Sequence, residues 1–494
     1  MDLSAIEPRP LWAHFFSICA IPHPSHREKA LADWVLAWAA ERGIEAIRDS
    51  GGNVILRKPA SKGREKAPGI IFQAHLDMVS QAASGSGHDF ARDPIRPRPD
   101  PANPGWISAT GTTLGADNGI GVAAALAFME DKSLVHGPLE CLFTLNEEDG
   151  MGGAREVKPD ALRGSILLNL DGEDDTELCI GCAGTLRVRG EREIALAAGT
   201  ADFRWFELRV SGLLGGHSGV DIDKGRGNAS LLLCRAAAAA PGARLALLEG
   251  GTASNAIPRD ARALIGFAPA HQEKSLALVQ AEAKAIAAEL AAHDPGFAFA
   301  AAEAPAPAAA LSPEDSSALL RAVVGLPNGL FEMEPDMPGL VRSSCNLGEL
   351  RLGLAPAKEA TAGRVGFHAL VLVRSSVEAE KERIAAGIEA ALAAYGASTS
   401  RPSEAPAWTP DVKSPLLALA RTAYAEVTGA EAAIRATHGG LECGLFRPRF
   451  PHWDMISLGP NIRYPHSPDE RVEVASVERF YRFARSLVEK LAGL

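Results

Sequence analysis

Three short apolar runs, 69–74, 139–144 and 165–170, are each followed closely by histidine or acidic residues: His75 and Asp77, Glu147 and Glu148, and Asp171. Runs of this length read as buried strands, and the helical patterns between them give the alternating rhythm of an α/β domain. Open α/β sheets gather ligands just beyond the carboxyl ends of their strands, where several loops converge. These side chains therefore stand where chemistry collects.

A chain of 494 residues is too long for one compact core, so two or more domains are expected. Around 182–200 the texture changes, and 206–210 begins a second set of alternating strands and alanine-rich helices, notably 273–292. The Ala/Pro stretch 298–310 reads as a surface connection, 365–373 as a strand followed by a helix over 377–394, and 396–415 as a return linker. The final segment has a strand at 455–458 and an amphipathic helix with Val477, Phe480, Tyr481, Ala484, Leu487, Val488 and Leu491 at helical spacing. It completes the first domain if the middle is an insertion. Near the start, Ser25-His26-Arg27-Glu28 is a capping-box sequence opening a helix through about Ala40.

The net charge of −11, without a dense lysine or arginine stripe, argues against nucleic acid as a partner. Before His23 the chain lacks the charged-then-apolar layout of a secretory signal, and Gly, Pro or a charge interrupts every apolar run long enough for a membrane. The seven scattered cysteines read as buried thiols in a reducing compartment, so a cytoplasmic location is expected. Cys179 and Cys182 form a Cys-x-x-Cys pair, but no partner pair or thioredoxin-like context supports a redox or zinc role.

The acidic and histidine residues each admit two readings. His75 and Asp77, two apart in extended chain, share a side, so Asp77 could hold the second ring nitrogen of a ligating His75, or the pair could be a strand-end salt link. Asp117, in the glycine-rich turn 113–121, could cap the helix that follows or sit near a bound ion. Glu147 and Glu148 point apart, so one could bind metal while the other addresses a water; the plainer reading is a solvated acidic turn. Asp171 ends the next strand, and His466 lies in the proline-braced loop 464–470, by itself a surface position. Taken together they are the mixed oxygen and nitrogen donors that hard or borderline divalent cations prefer.

In order along the chain, His75-Leu76-Asp77-Met78-Val79, the Thr113 to Gly121 turn, Glu147-Glu148, Gly215-Gly216-His217-Ser218-Gly219, Gly225-Arg226-Gly227-Asn228-Ala229, Asn255-Ala256-Ile257-Pro258-Arg259, Gly440-Leu441-Glu442-Cys443-Gly444 and Ser457-Leu458-Gly459-Pro460 through Glu470 resemble the M20 metallopeptidases. The likeness is nearest to the aminoacyl-histidine dipeptidase (peptidase D, Xaa-His dipeptidase) group. The resemblance implies an α/β catalytic domain with a mainly parallel, helix-covered mixed sheet, interrupted by an inserted α+β lid. The expected parts are 1–190 and 399–494 for the catalytic domain and 191–398 for the lid.

The resemblance also implies a dipeptidase with two divalent metal ions, zinc first and manganese or cobalt as substitutes. His75 and Asp171 would bind one ion, Glu148 and His466 the other, and Asp117 would bridge them. Asp77 would orient His75, Glu147 would be the general base, and His217 would support the developing oxyanion. Asn255, Arg374 and Gly440 would hold the C-terminal end of a dipeptide substrate, and relatives of this kind are commonly homodimers. One departure is Gly172, where many relatives carry serine. The rival readings are another M20 amidohydrolase, acting on N-acyl amino acids or as a carboxypeptidase, and a non-catalytic binding protein that keeps the fold.

Overall fold

In the computed structural model, four strands lie side by side and run in one direction, in the order Leu139–Thr144, Ile70–His75, Ile166–Asn169 and Asp454–Ser457. The structure describes residues 2–353 and 363–494. The first two strands are buried at every position, as parallel strands are when both faces of a sheet are covered. Val54–Lys58 and Glu45–Arg48 extend one side antiparallel; on the other, Glu177–Cys182 runs antiparallel to Asp454–Ser457 and Ala433–Thr437 forms the edge.

Helix Ala116–Glu130 is apolar nearly all round and correspondingly buried, while the terminal helix Val474–Leu491 buries one stripe. An aromatic column joins them to the sheet: Phe72 stacks on Phe128 with ring centroids 5.1 Å apart, and Phe128 on Tyr481 at 4.4 Å. Each buried ring of this kind contributes roughly 1.5–3 kcal/mol through the water it leaves.

The chain divides into two units, one of Met1–Gly181, Trp408–Thr437 and Leu441–Leu494, the other of Cys182–Ala407 with His438–Gly440. The breaks lie outside those read from sequence at 190/191 and 398/399, because the strand Gly184–Ala195 runs unbroken and Ser398–Ser400 and Glu404–Ala405 both pair with it. The stretch read as a return linker thus supplies two short strands.

The second unit is built on a ten-stranded sheet whose main path is Ala298–Ala304, Arg204–Ser211, Ala261–Phe267, Arg244–Gly250, Val341–Gly353, Arg364–Ser375, Gly184–Ala195 and Ser398–Ser400. Its core combines one face of these strands with apolar residues of helices Ala229–Ala238, Gln272–Leu290, Pro313–Val324 and Glu378–Ala394. The Ala/Pro stretch expected to be a surface connection instead begins as an edge strand, with Leu208 opposite Ala301. The capping box is also corrected. Helix Lys29–Glu41 starts without a side-chain cap, because Ser25 donates to Asp77 and Glu28 accepts from the amides of His26 and Asn146.

Candidate metal centre

The parallel strands deliver their acids and imidazoles to one end of the sheet. His75 closes its own strand, Glu147 and Glu148 follow Leu139–Thr144, Asp171 follows Ile166–Asn169, and His466 lies in the chain beyond Asp454–Ser457. His75 Nε2 lies 3.1 Å from Asp117 Oδ1 and 3.3 Å from Asp171 Oδ1. His466 Nε2 lies 3.3 Å from Asp117 Oδ2 and 3.0 Å from Glu148. The two oxygens of Asp117 therefore face two different imidazoles. Ligand atoms of His75, Asp117 and Glu148 all fall within 4.8 Å of one another.

A second layer fixes these side chains. His75 Nδ1 lies 3.0 Å from the backbone carbonyl of Asp77, which can only accept, so the neutral ring turns its Nε2 lone pair into the cluster. The carboxylate of Asp77 is farther, 3.5 Å from Nδ1. It also accepts from the amides of Glu147 at 2.9 Å and Glu148 at 3.1 Å and from Ser25 Oγ at 2.8 Å. Asp77 thus joins the strand end carrying His75 to the loop carrying both glutamates.

Asp117 is held from the other side. Helix Ala116–Glu130 opens irregularly, with Gly115 at φ +71° and non-helical angles at Asp117 and Asn118. The carboxylate of Glu470 accepts from four successive amides there, Leu114 at 2.7 Å, Gly115 at 3.0 Å, Ala116 at 2.8 Å and Asp117 at 3.3 Å. Glu470 shares its loop with His466, so one turn of chain supplies an imidazole and anchors the bridge-like aspartate. Asn118 donates through Nδ2 to Asp171 Oδ1. Beneath the cluster, Thr144 at 2.8 Å and Gln73 donate to buried Glu442, and Asn169 donates to Gln73. Gly172 packs so tightly that a Cβ there would come 2.6 Å from the backbone of Leu458 and Gly459.

In the sequence, Glu470 and Glu442 stand out only as parts of longer motifs, and nothing local gives Asn118 or Ser25 a role at the site. For Glu470 the available signal was its position in the loop of His466.

Five carboxylates, those of Asp77, Asp117, Glu147, Glu148 and Asp171, crowd around two imidazoles, and no lysine or arginine among the described residues pairs with any of them. Burial pushes Glu147 well up, and Glu148 and Asp171 up. Burial alone would lower His75, but the charge of Asp171 and hydrogen bonds to the surrounding aspartates raise it well above an ordinary imidazole. Hydrogen bonds to Asp117 and Glu148 lift His466 to about 11. Both rings are thus drawn toward the positive charge that the surplus of acid demands. Such a donor set, largely half-buried and short of cations, fits hard or borderline divalent metal ions.

The other sequence-predicted residues lie in the second unit. His217 Nδ1 accepts from the Gly219 amide at 3.2 Å, so the neutral ring carries its proton on Nε2 and can donate. Burial, then the charge of Arg374, lowers its pKa and favours that neutral form. Asn255 is exposed and sits beside His217, whose residue pairs with Ala256 across a two-stranded ribbon. Arg374 is buried, with Nη1 donating to the carbonyl of His438 at 3.0 Å and Nε without a partner. Gly440 is exposed, two residues beyond His438.

The sequence profile of peptidase family M20/M25/M40 matches residues 71–490. The cytosol non-specific dipeptidase of Escherichia coli (strain K12) is 38% identical over 493 residues, covering 99% of each chain. The crystal structure of aminoacylhistidine dipeptidase from Vibrio alginolyticus has a TM-score of 0.91 and 37% identity, covering 99% of this chain and 98% of that one. A tripeptidase from Staphylococcus aureus shares the fold with a TM-score of 0.60 at 13% identity, over 99% of this chain and 100% of that one. The ordered match of sequence and fold over nearly the whole length means that the chain belongs to peptidase family M20/M25/M40.

Proposed function

We propose that the protein is a cytoplasmic, metal-dependent dipeptidase that hydrolyses Xaa-His dipeptides, β-alanyl-histidine included. The observation that carries this reading is Asp117, whose two oxygens each face a different imidazole within a cage of half-buried acids. His75 and Asp171 would hold one divalent ion, Glu148 and His466 a second, with Asp117 between, and zinc is the first candidate. When bound, such ions polarise a carbonyl and lower the pKa of water from about 15.7 toward 7.

The chain's own groups account for the rest. Glu147, whose carboxylate is bonded by no side chain among the described residues and is raised by burial, takes a proton from the attacking water and returns it to the leaving amine. Asp77 keeps Glu147 in reach through its backbone amide. His217, donating from Nε2, supports the oxygen that gains charge in the transition state. Arg374, with Asn255 and Gly440, receives the C-terminal carboxylate, for which a guanidinium offers paired donors. We assign the lid to the second unit, whose closure would exclude water.

The two named dipeptidases among the relatives support the substrate class. Purified protein should cleave Ala-His and β-alanyl-histidine and leave N-acetyl amino acids intact. Turnover of N-acetyl amino acids without turnover of dipeptides would replace this reading with that of an amidohydrolase.

A further inference from the structure

One face of the second unit's sheet is apolar core: Leu186, Val373 and Cys345 lie across from one another, as do Val188, Val371 and Leu347. Alternation along the strands puts Thr185, Arg374 and Ser344 in one row of the opposite face and Arg187, Leu372 and Asn346 in the next. Arg187 and Arg374 are thus diagonal neighbours on adjacent strands, within reach of each other for long side chains. Neither has an acid partner among the described residues. Arg187 spends Nε on Ser254 Oγ at 2.9 Å and Nη1 on Ser403 Oγ at 2.5 Å. Arg374 donates through Nη1 to the His438 carbonyl, and its buried Nε has no partner among the described residues. After burial itself, the like charge of Arg187 is the cause that pulls the Arg374 guanidinium down to about 10.

Two guanidiniums side by side repel each other, and in a chain of net charge −11 acids to neutralise them are plentiful. Their absence here among the described residues leaves a place for an anion that arrives with the ligand. Arg187 has a second consequence for that place. Its bond to Ser254, with Asn346 Nδ2 donating to the carbonyls of Ser254 at 3.3 Å and Ala256 at 2.8 Å, grips the chain on both sides of Asn255.

We infer that Arg187 is a positioning and specificity residue of the carboxylate subsite: its charge adds to that of Arg374, and its bond to Ser254 sets Asn255. This rests on the reading that Arg374 receives the substrate's carboxylate. It makes preference for a free C-terminus a property of two cations.

The test compares kcat/KM for Ala-His and its C-terminal amide in the metal-loaded wild type and in four variants. Wild type should favour the free acid by about 100-fold and Arg374→Gln should abolish that preference, as expected for losing a charged hydrogen-bond partner. Arg187→Gln should cut the preference about tenfold, chiefly through KM for the free acid, whereas Arg187→Lys should retain most of it. Ser403→Asp, which keeps Arg187 but pairs it with an acid, should reproduce the loss and serves if Arg187→Gln does not fold. If Arg374→Gln loses the preference while Arg187→Gln and Ser403→Asp both keep it, Arg187 is structural and this inference is overturned. If Arg374→Gln keeps it, the carboxylate reading falls and takes the inference with it.

Discussion

Among the described residues, five carboxylates around Asp117 surround two imidazoles without a lysine or arginine partner, and around Arg374 two arginines share a sheet face without an acid partner. The two regions, one in each unit, are unbalanced in opposite senses. Burying unpaired charge costs several kcal/mol per group unless something neutralises it. Elsewhere such charges can find opposite charges inside the protein, as Arg57 does with Glu45 and Glu140 and Arg401 with Glu382 and Glu389. On the function proposed above, a ligand brings the missing sign to each region: cations to the first, a carboxylate to the second.

The comparison can be strained most at Glu147. Glu147→Gln removes one acid that is no proposed ligand, so turnover of Ala-His should fall by about 10² to 10⁴-fold while elemental analysis finds the metal content unchanged. Turnover near wild type would remove Glu147 as the base.

A smaller effect is expected at Glu470. Glu470→Gln replaces a carboxyl that accepts from four amides with an amide whose NH2 faces N–H groups, and should cost about 2 kcal/mol in a denaturant midpoint measurement, with weakened metal retention. An unchanged midpoint would mean the Asp117 turn holds its shape without this acid.

The smallest effect concerns His438 in the cation-rich region. Burial, followed by the charges of Arg374 and His217, lowers its pKa to about 3. The unfolded chain takes up this proton near pH 6.5 and the folded chain only near 3, so the contribution is full above pH 6.5 and is lost as pH falls toward 3. The fall in melting temperature from pH 7 to 5 should be shallower in His438→Gln than in wild type. Equal slopes would contradict a neutral His438 beside Arg374.

Much of the acid-rich region is legible from the sequence because His75, Glu147, Glu148 and Asp171 each follow an apolar run, and parallel strands bring their carboxyl ends together; Asp117 is marked instead by its glycine-rich turn. What held those groups was not legible. Ser25 looked like a helix cap because its local spacing suits one, yet its hydroxyl goes to Asp77, a partner 52 positions away. Glu470 reaches amides more than 350 positions earlier, a contact no local pattern encodes. Strand Ala298–Ala304 was obscured because alanine and proline carry little strand signal, and its pairing with Arg204–Ser211 comes from the sheet. Arg187 was invisible for a related reason: an arginine in a strand is ordinary until the register sets it beside Arg374.

Metal content after exhaustive dialysis, measured by mass spectrometry on wild type and Asp117→Ala, tests the central claim most directly. Two ions per chain in the wild type, and loss of at least one in Asp117→Ala, is the predicted result. A wild type that retains none, or an Asp117→Ala protein that keeps both, would contradict a paired site built on that carboxylate.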